Sequence, residues 1–214
     1  PHRTRRISFR QKRWKSVAAR KKVAKRWSVK SALLWVALVA VLVAAGFAAL
    51  EPATRTIYHQ LYPRSYRSYV EQYSREYDVD ENLVYAVAKV ESNFDPNAVS
   101  SADARGLMQM TEDAFEWVQY RMGDQSGVTY ADIFDPEVAI KYGTYMLHLL
   151  LTETGDEMLA ICSYHAGMGN VSAWLEQENY SKDGKTLDKI PYSDTEWYYN
   201  KVSEAKEIYR ELYS

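Results

Sequence analysis

The chain has 214 residues, with 27 Lys and Arg, 28 Asp and Glu, 18 tyrosines and one cysteine. Thirteen of the basic residues lie in residues 1–30 and no acid precedes Glu51, so the near-zero total hides a basic arm and a remainder of 14 basic against 28 acidic residues, a net of −14 with histidine neutral. That acidity argues against nucleic-acid binding, which needs a basic face, and a lone Cys162 excludes an intrachain disulfide and a multi-cysteine metal site.

Residues 1–30 interleave Lys and Arg with Phe9, Trp14 and Trp27. A nucleic-acid arm is one reading of such a stretch. The other follows from what comes next, Ser31 to Leu50, an uncharged apolar run of twenty residues. As a helix it spans about 30 Å, the thickness of a bilayer core. Trp27 and Trp35 suit the interface, and the positive-inside rule keeps the arm cytoplasmic, against anionic lipid, with everything after Leu50 outside. A cleavable signal peptide would carry a shorter apolar core and a shorter basic lead. The sequence therefore divides into a basic arm (1–30), a transmembrane helix (31–50), a linker (51–64) broken at Pro52 and Pro63, and an external domain (65–214).

Within that domain the periodicity is helical. Tyr66, Tyr69, Val70, Tyr73 and Tyr77 fall on one face. Asp80 is placed to cap a helix that runs to Glu91, where Asp95-Pro96 is expected to stop it. Thr111 caps the next, which runs to about Gly123. Asp135-Pro136 opens another that ends at Gly155. Asp156 starts a helix ending near Gly167, Asn170 starts a short one through Trp174, and Asp194 is placed to cap the last, whose face is Tyr198, Val202, Ala205, Tyr209 and Leu212. No run alternates over strand length, so the fold class is all-α.

Glu91 shares a face with Val84 and Val87. A carboxylate on an apolar stripe at a helix C-terminus is disfavoured by burial and by the helix dipole, and both raise its pKa. A raised pKa is what a general acid needs near neutral pH. Taken alone, a solvated glutamate at a frayed end explains the same octet.

Three fragments distinguish the domain from a generic helical one. The first joins Glu91-Ser92, Ser100 and Gly106-Leu107-Met108-Gln109-Met110. The second is Ser163-Tyr164-His165-Ala166-Gly167-Met168-Gly169-Asn170-Val171, then Trp174. The third is Ile190-Pro191-Tyr192-Ser193-Asp194-Thr195 with Tyr198 and Lys201-Val202. In this order and spacing, over roughly Tyr69 to Tyr209, they resemble the Slt-type lytic transglycosylases, relatives of the goose-type lysozymes.

The resemblance implies a lysozyme-like helical domain, here placed behind the single N-terminal transmembrane helix read from the apolar run. It implies cleavage of the β-1,4 link between N-acetylmuramic acid and N-acetylglucosamine in peptidoglycan, leaving a 1,6-anhydromuramoyl end. The family's catalytic glutamate falls on Glu91, with substrate contacts implied at Ser100, Met108, Gln109, Thr111, Tyr164, His165, Asp194 and Tyr198. No cofactor is implied and the sequence has no metal motif; the resemblance implies peptidoglycan strands as partner, beside the membrane expected from residues 31–50, and no nucleic acid. Several positions depart from the pattern. The second fragment usually reads AYNAG, and Ser163 and His165 replace Ala and Asn. The third usually reads Glu-Thr-Arg, here Asp194-Thr195-Glu196. Thr111 stands where methionine is usual, and Glu112 where proline is. A muramidase using water on the same fold and a non-catalytic wall-binding module are the competing functions.

Overall fold

The computed structural model describes residues 28–214. The basic arm, up to Trp27, lies outside the described residues. The chain divides into two compact units, Pro1–Leu50 and Glu51–Ser214. In the first, helix α1 begins at Val29, and its window Val29–Gly46 has a mean hydropathy of 2.2 with none of it buried. By length and composition it is one helix able to cross a membrane.

Helix α1 does not end where the sequence suggested. It continues through Pro52 to Leu61, so the expected linker is helical over most of its length. A proline removes one backbone donor, and the turns on either side keep theirs.

The second unit is helical, with no strand among the described residues and only two isolated bridges, Val99 with Arg105 and Arg105 with Met110. Its helices are α2 (Arg67–Tyr77), α3 (Glu81–Ser92), α4 (Glu112–Met122), α5 (Pro136–Thr154), α6 (Glu157–Ala166), α7 (Met168–Leu175) and α8 (Ser193–Tyr213). A 3-10 turn at Tyr130–Phe134, not foreseen from the sequence, precedes α5.

The caps explain most boundaries. Asp80, Thr111, Asp135 and Asp156 each accept a bond from a first-turn N–H of α3, α4, α5 and α6. Gly123 and Gly155 close α4 and α5 in the left-handed region. Three expected boundaries are corrected. Helix α3 is ended by Asn93 at φ 53°, followed by Phe94 at φ 64°, before Pro96 can act; asparagine tolerates that conformation. Helix α7 starts at Met168, because Gly167 serves as its cap and Asn170 instead donates to the Ala166 carbonyl. Tyr192, not Asp194, is the cap of α8. Asp194 lies inside the first turn and accepts from the Thr195 N–H.

Helix α3 is the centre of the core. Leu83 to Ala88 are all buried, with α2 and α8 packed on them. The expected inner face of α8, from Tyr198 to Leu212, is buried throughout. A smaller core beneath α6 and α7 joins Leu159, Cys162, Val171, Trp174, Leu187 and Ile190. There Cys162 packs as an apolar side chain, and burial pushes its thiol up to about 12.

Candidate active site

Where α3 ends, a cleft of about 280 Å³ opens between the loop after it, α4, α5 and α6. Glu91 lines it. Helix α3 has to be apolar up to Ala88 to seat in the core, so its last turn brings the carboxyl to the edge of that core and not into bulk water. Burial pushes the carboxyl from an ordinary value of 4.5 up to about 7, against the opposing pull of a hydrogen bond from Tyr198. Tyr198 Oη donates to Glu91 Oε1 at 2.7 Å from α8. The Tyr198 ring is buried, and its hydroxyl is pushed well above the usual tyrosine range by burial and by the neighbouring carboxyl.

Tyr164 also lines the cleft, but its hydroxyl donates to the Met108 carbonyl at 2.8 Å. Burial and Glu91 hold it, too, well above its ordinary value. Both tyrosines are therefore neutral at any physiological pH. One presents its proton to the carboxyl, and the other presents an oxygen whose proton is already directed at the backbone.

The loop from Asp95 to Met110 forms the opposite wall. Its shape depends on backbone pairs between Gly106 N and Ala98 O, and between Arg105 and Met110 in both directions. Gly106 sits at φ +72°, and a Cβ there would meet the Ile133 carbonyl oxygen at 2.4 Å. Glycine is required on both counts. Ser92 ties the loop to α3 by donating to the Leu107 carbonyl at 2.8 Å.

Gln109, at φ +46°, donates both amide hydrogens to loop carbonyls, Ala98 at 3.1 Å and Gly106 at 3.0 Å. What remains for a ligand is its carbonyl oxygen, an acceptor only. Ser100 is the complement. Its oxygen accepts from the N–H groups of Ala102 and Ala104 at 3.2 and 3.1 Å, which leaves its O–H as a donor. Thr111 lines the cleft while its hydroxyl caps α4.

The structure thus brings Glu91, Ser100, Gln109, Thr111, Tyr164, His165 and Tyr198 together. Two of the expected residues stand apart from this group. The Met108 side chain is fully buried, packed where Gly143 leaves room for it, and only its carbonyl serves the site. Asp194 is exposed and lies outside the cleft lining. Met110, Met146 and Ala114 line the cleft and were not expected to. Met146 carried only a generic apolar periodicity in α5, and nothing in the sequence separated its cleft position from its buried neighbours. Among the described residues, Glu91 is the one carboxyl lining the cleft, and no group of acids, histidines and cysteine is placed to hold a metal.

Residues 68–187 match the family described as Transglycosylase SLT domain. The membrane-bound lytic murein transglycosylase C of Cronobacter sakazakii is 30% identical over 166 residues, covering 68% of this chain and 46% of that protein. The same enzyme of Salmonella arizonae is 31% identical with the same coverage. The chain thus spans about half the length of the curated relatives it matches. In structure, the 70-kDa soluble lytic transglycosylase of Escherichia coli superposes with a TM-score of 0.65 at 22% identity, over 72% of this chain and 25% of that one. The lytic transglycosylase Slt of Pseudomonas aeruginosa, an inactive mutant, gives 0.61 at 22% identity over 71% and 25%. These two likenesses establish the fold.

Proposed function

The chain belongs to the Transglycosylase SLT domain family, and from that premise we propose that it is a membrane-anchored lytic transglycosylase acting on peptidoglycan. The bond cleaved is the β-1,4 link from N-acetylmuramic acid to N-acetylglucosamine. Glu91 is the single general acid and base.

The observation that carries this is a desolvated carboxyl without a carboxylate partner in its cleft. At neutral pH about half of Glu91 holds a proton, given a pKa near 7. The protonated carboxyl gives that proton to the glycosidic oxygen as the C1–O bond breaks, and N-acetylglucosamine leaves as an alcohol. The resulting carboxylate takes the proton of the muramoyl 6-hydroxyl while O6 bonds to C1. Glu91 ends the cycle protonated, and no water enters the products. An ordinary glycosidase needs two carboxyl groups about 5 to 9 Å apart. An internal hydroxyl nucleophile removes the need for the second.

The loop supplies recognition suited to an acetamido sugar. Ser100 offers a donor and the carbonyl of Gln109 an acceptor, both fixed by backbone bonds. Tyr198 stabilises the carboxylate form that arises after proton donation. Residues 31–50 span the membrane, residues 1–30 stay in the cytoplasm against anionic lipid, and residues 65–214 face the wall outside.

Mass spectrometry of digested sacculi tests the reaction. Anhydromuramoyl ends are expected; reducing ends in every product would replace the proposal with a muramidase. Unchanged cleavage by Glu91→Gln would remove the assignment of the site.

A further inference from the structure

Two buried residues of α8, Thr195 and Tyr198, three apart on one helix face, lie behind the lining of the cleft. One residue of α6 touches both. His165 Nδ1 lies 3.4 Å from Thr195 Oγ1, and the imidazole centroid lies 4.6 Å from that of Tyr198, with the planes inclined by 38°. Thr195 and Tyr198 are buried, while His165 is exposed and lines the cleft beside Glu91.

We propose that His165 is a positioning residue, whose ring braces Tyr198 so that the Tyr198 hydroxyl stays on Glu91 Oε1. This rests on the function proposed above and deepens it. Tyr198 is placed by its backbone on α8, but its hydroxyl stands at the far end of a long side chain. A displacement of about half an ångström there is enough to weaken a 2.7 Å bond. Among the described residues, His165 is the aromatic ring packed on Tyr198. The Thr195 hydroxyl stands beside the imidazole at 3.4 Å, so the brace also touches the helix that it steadies. The AYNAG pattern places asparagine here, which has no ring to pack, so the brace is a property of this chain.

The charged and titratable surroundings of Glu91 define how this can be read out. Helix α8 presents Tyr198, and α6 presents Tyr164 and His165. The loop, α4 and α5 present only non-ionisable groups at the cleft, and Asp194 and Glu196 of α8 are exposed away from its lining. The reaction starts from protonated Glu91, so its rate falls as pH rises through the Glu91 pKa. The bond from Tyr198 stabilises the carboxylate. Loosening that bond therefore moves the falling limb to higher pH.

The experiment uses the full chain in detergent micelles, with soluble glycan strands below saturation as substrate. Initial cleavage rates are followed across pH for the wild type, His165→Ala, His165→Phe, Tyr198→Phe and the double variant His165→Ala/Tyr198→Phe. Tyr198→Phe is expected to move the alkaline limb up by about one pH unit, and His165→Ala by about half a unit. The double variant should move no further than Tyr198→Phe alone, because both act through one bond. His165→Phe keeps a ring on Tyr198, so its alkaline limb should stay within about 0.2 pH unit of the wild type whatever its absolute rate. A His165→Ala limb coincident with the wild type, full additivity in the double variant, or a His165→Phe shift as large as that of His165→Ala would each overturn the brace. Circular dichroism accompanies each variant, and an exposed residue is expected to leave the helical spectrum unchanged. Glu91→Gln is run beside them. If it still cleaves, the functional proposal fails; if it is inactive and the His165 variants do not shift, only the brace fails.

Discussion

Helices α1 and α3 are built from the same residue types and end up in opposite surroundings. Over Val29–Gly46, α1 is apolar on every face and none of it is buried. Helix α3 is apolar from Leu83 to Ala88 and every one of those residues is buried. Composition makes each helix leave water; the neighbours decide what replaces it. For Val29–Gly46 no protein does among the described residues, and length suits lipid. For α3 it is α2 and α8. The difference has a chemical consequence. The span of α1 from Ser31 to Leu50 carries no charge at all, whereas α3 carries one carboxyl at the point where its protein cover meets a cleft. There, desolvation is partial and a pKa near 7 results.

The largest expected effect comes from removing that carboxyl. Glu91→Gln should lower cleavage of sacculi by about 10²- to 10⁴-fold with the helical spectrum intact, the usual range for a lost general acid. Truncating the two helices separates their roles next. Leu83→Ala should cost about 2–5 kcal/mol of domain stability in urea titrations, whereas Leu38→Ala in α1 should leave the domain transition where it was. Equal losses in both would mean that α1 is packed like α3.

A smaller loss is expected at the loop that seats the end of α3. In Gly106→Ala the new Cβ collides with the Ile133 carbonyl at a positive φ, a strain of about 1–3 kcal/mol. Thermal unfolding should register it together with weaker cleavage. The last effect is confined to a window of pH. Glu91 binds its proton more tightly folded than unfolded, since its pKa is raised from 4.5 to about 7. Below 4.5 the proton is held in both states. As pH rises from there through about 7, the wild type loses stability relative to Glu91→Gln. The variant should therefore melt above the wild type at alkaline pH, with the difference closing in acid.

Most of the helical domain was legible because its boundaries are set by local chemistry. Asp80, Thr111, Asp135 and Asp156 cap where capping residues precede apolar periodicity, and Gly123 and Gly155 end helices as expected. The misreadings share one cause. Pro52, Pro96, Asn170 and Asp194 are all local punctuation marks that a neighbour overrode. Helical bonds on both sides carried α1 past Pro52, Asn93 turned the chain before Pro96, Gly167 started α7, and Tyr192 stood one residue ahead of the Ser193 that opens α8.

At the site, the apolar face around Glu91 left a solvated glutamate open, and Glu91, the tyrosines and Gln109 stood out only through the three-fragment pattern. Side-chain direction was not legible. Nothing in the sequence distinguished Met108, which packs inward against Gly143, from Met146, which faces the cleft. Nor could spacing tell that Tyr164 would donate to a backbone carbonyl while Tyr198, 34 residues later, would hold the carboxyl.

The central claim is that burial at the end of α3 keeps Glu91 protonated up to neutral pH. Infrared difference spectroscopy of the wild type against Glu91→Gln isolates the carbonyl stretch of that one carboxylic acid, and a pH titration of the band reads its pKa without passing through turnover. A midpoint near 7 is the predicted result. A midpoint near the ordinary value of 4.5 would contradict it, because Glu91 would then be ionised when the reaction calls for its proton.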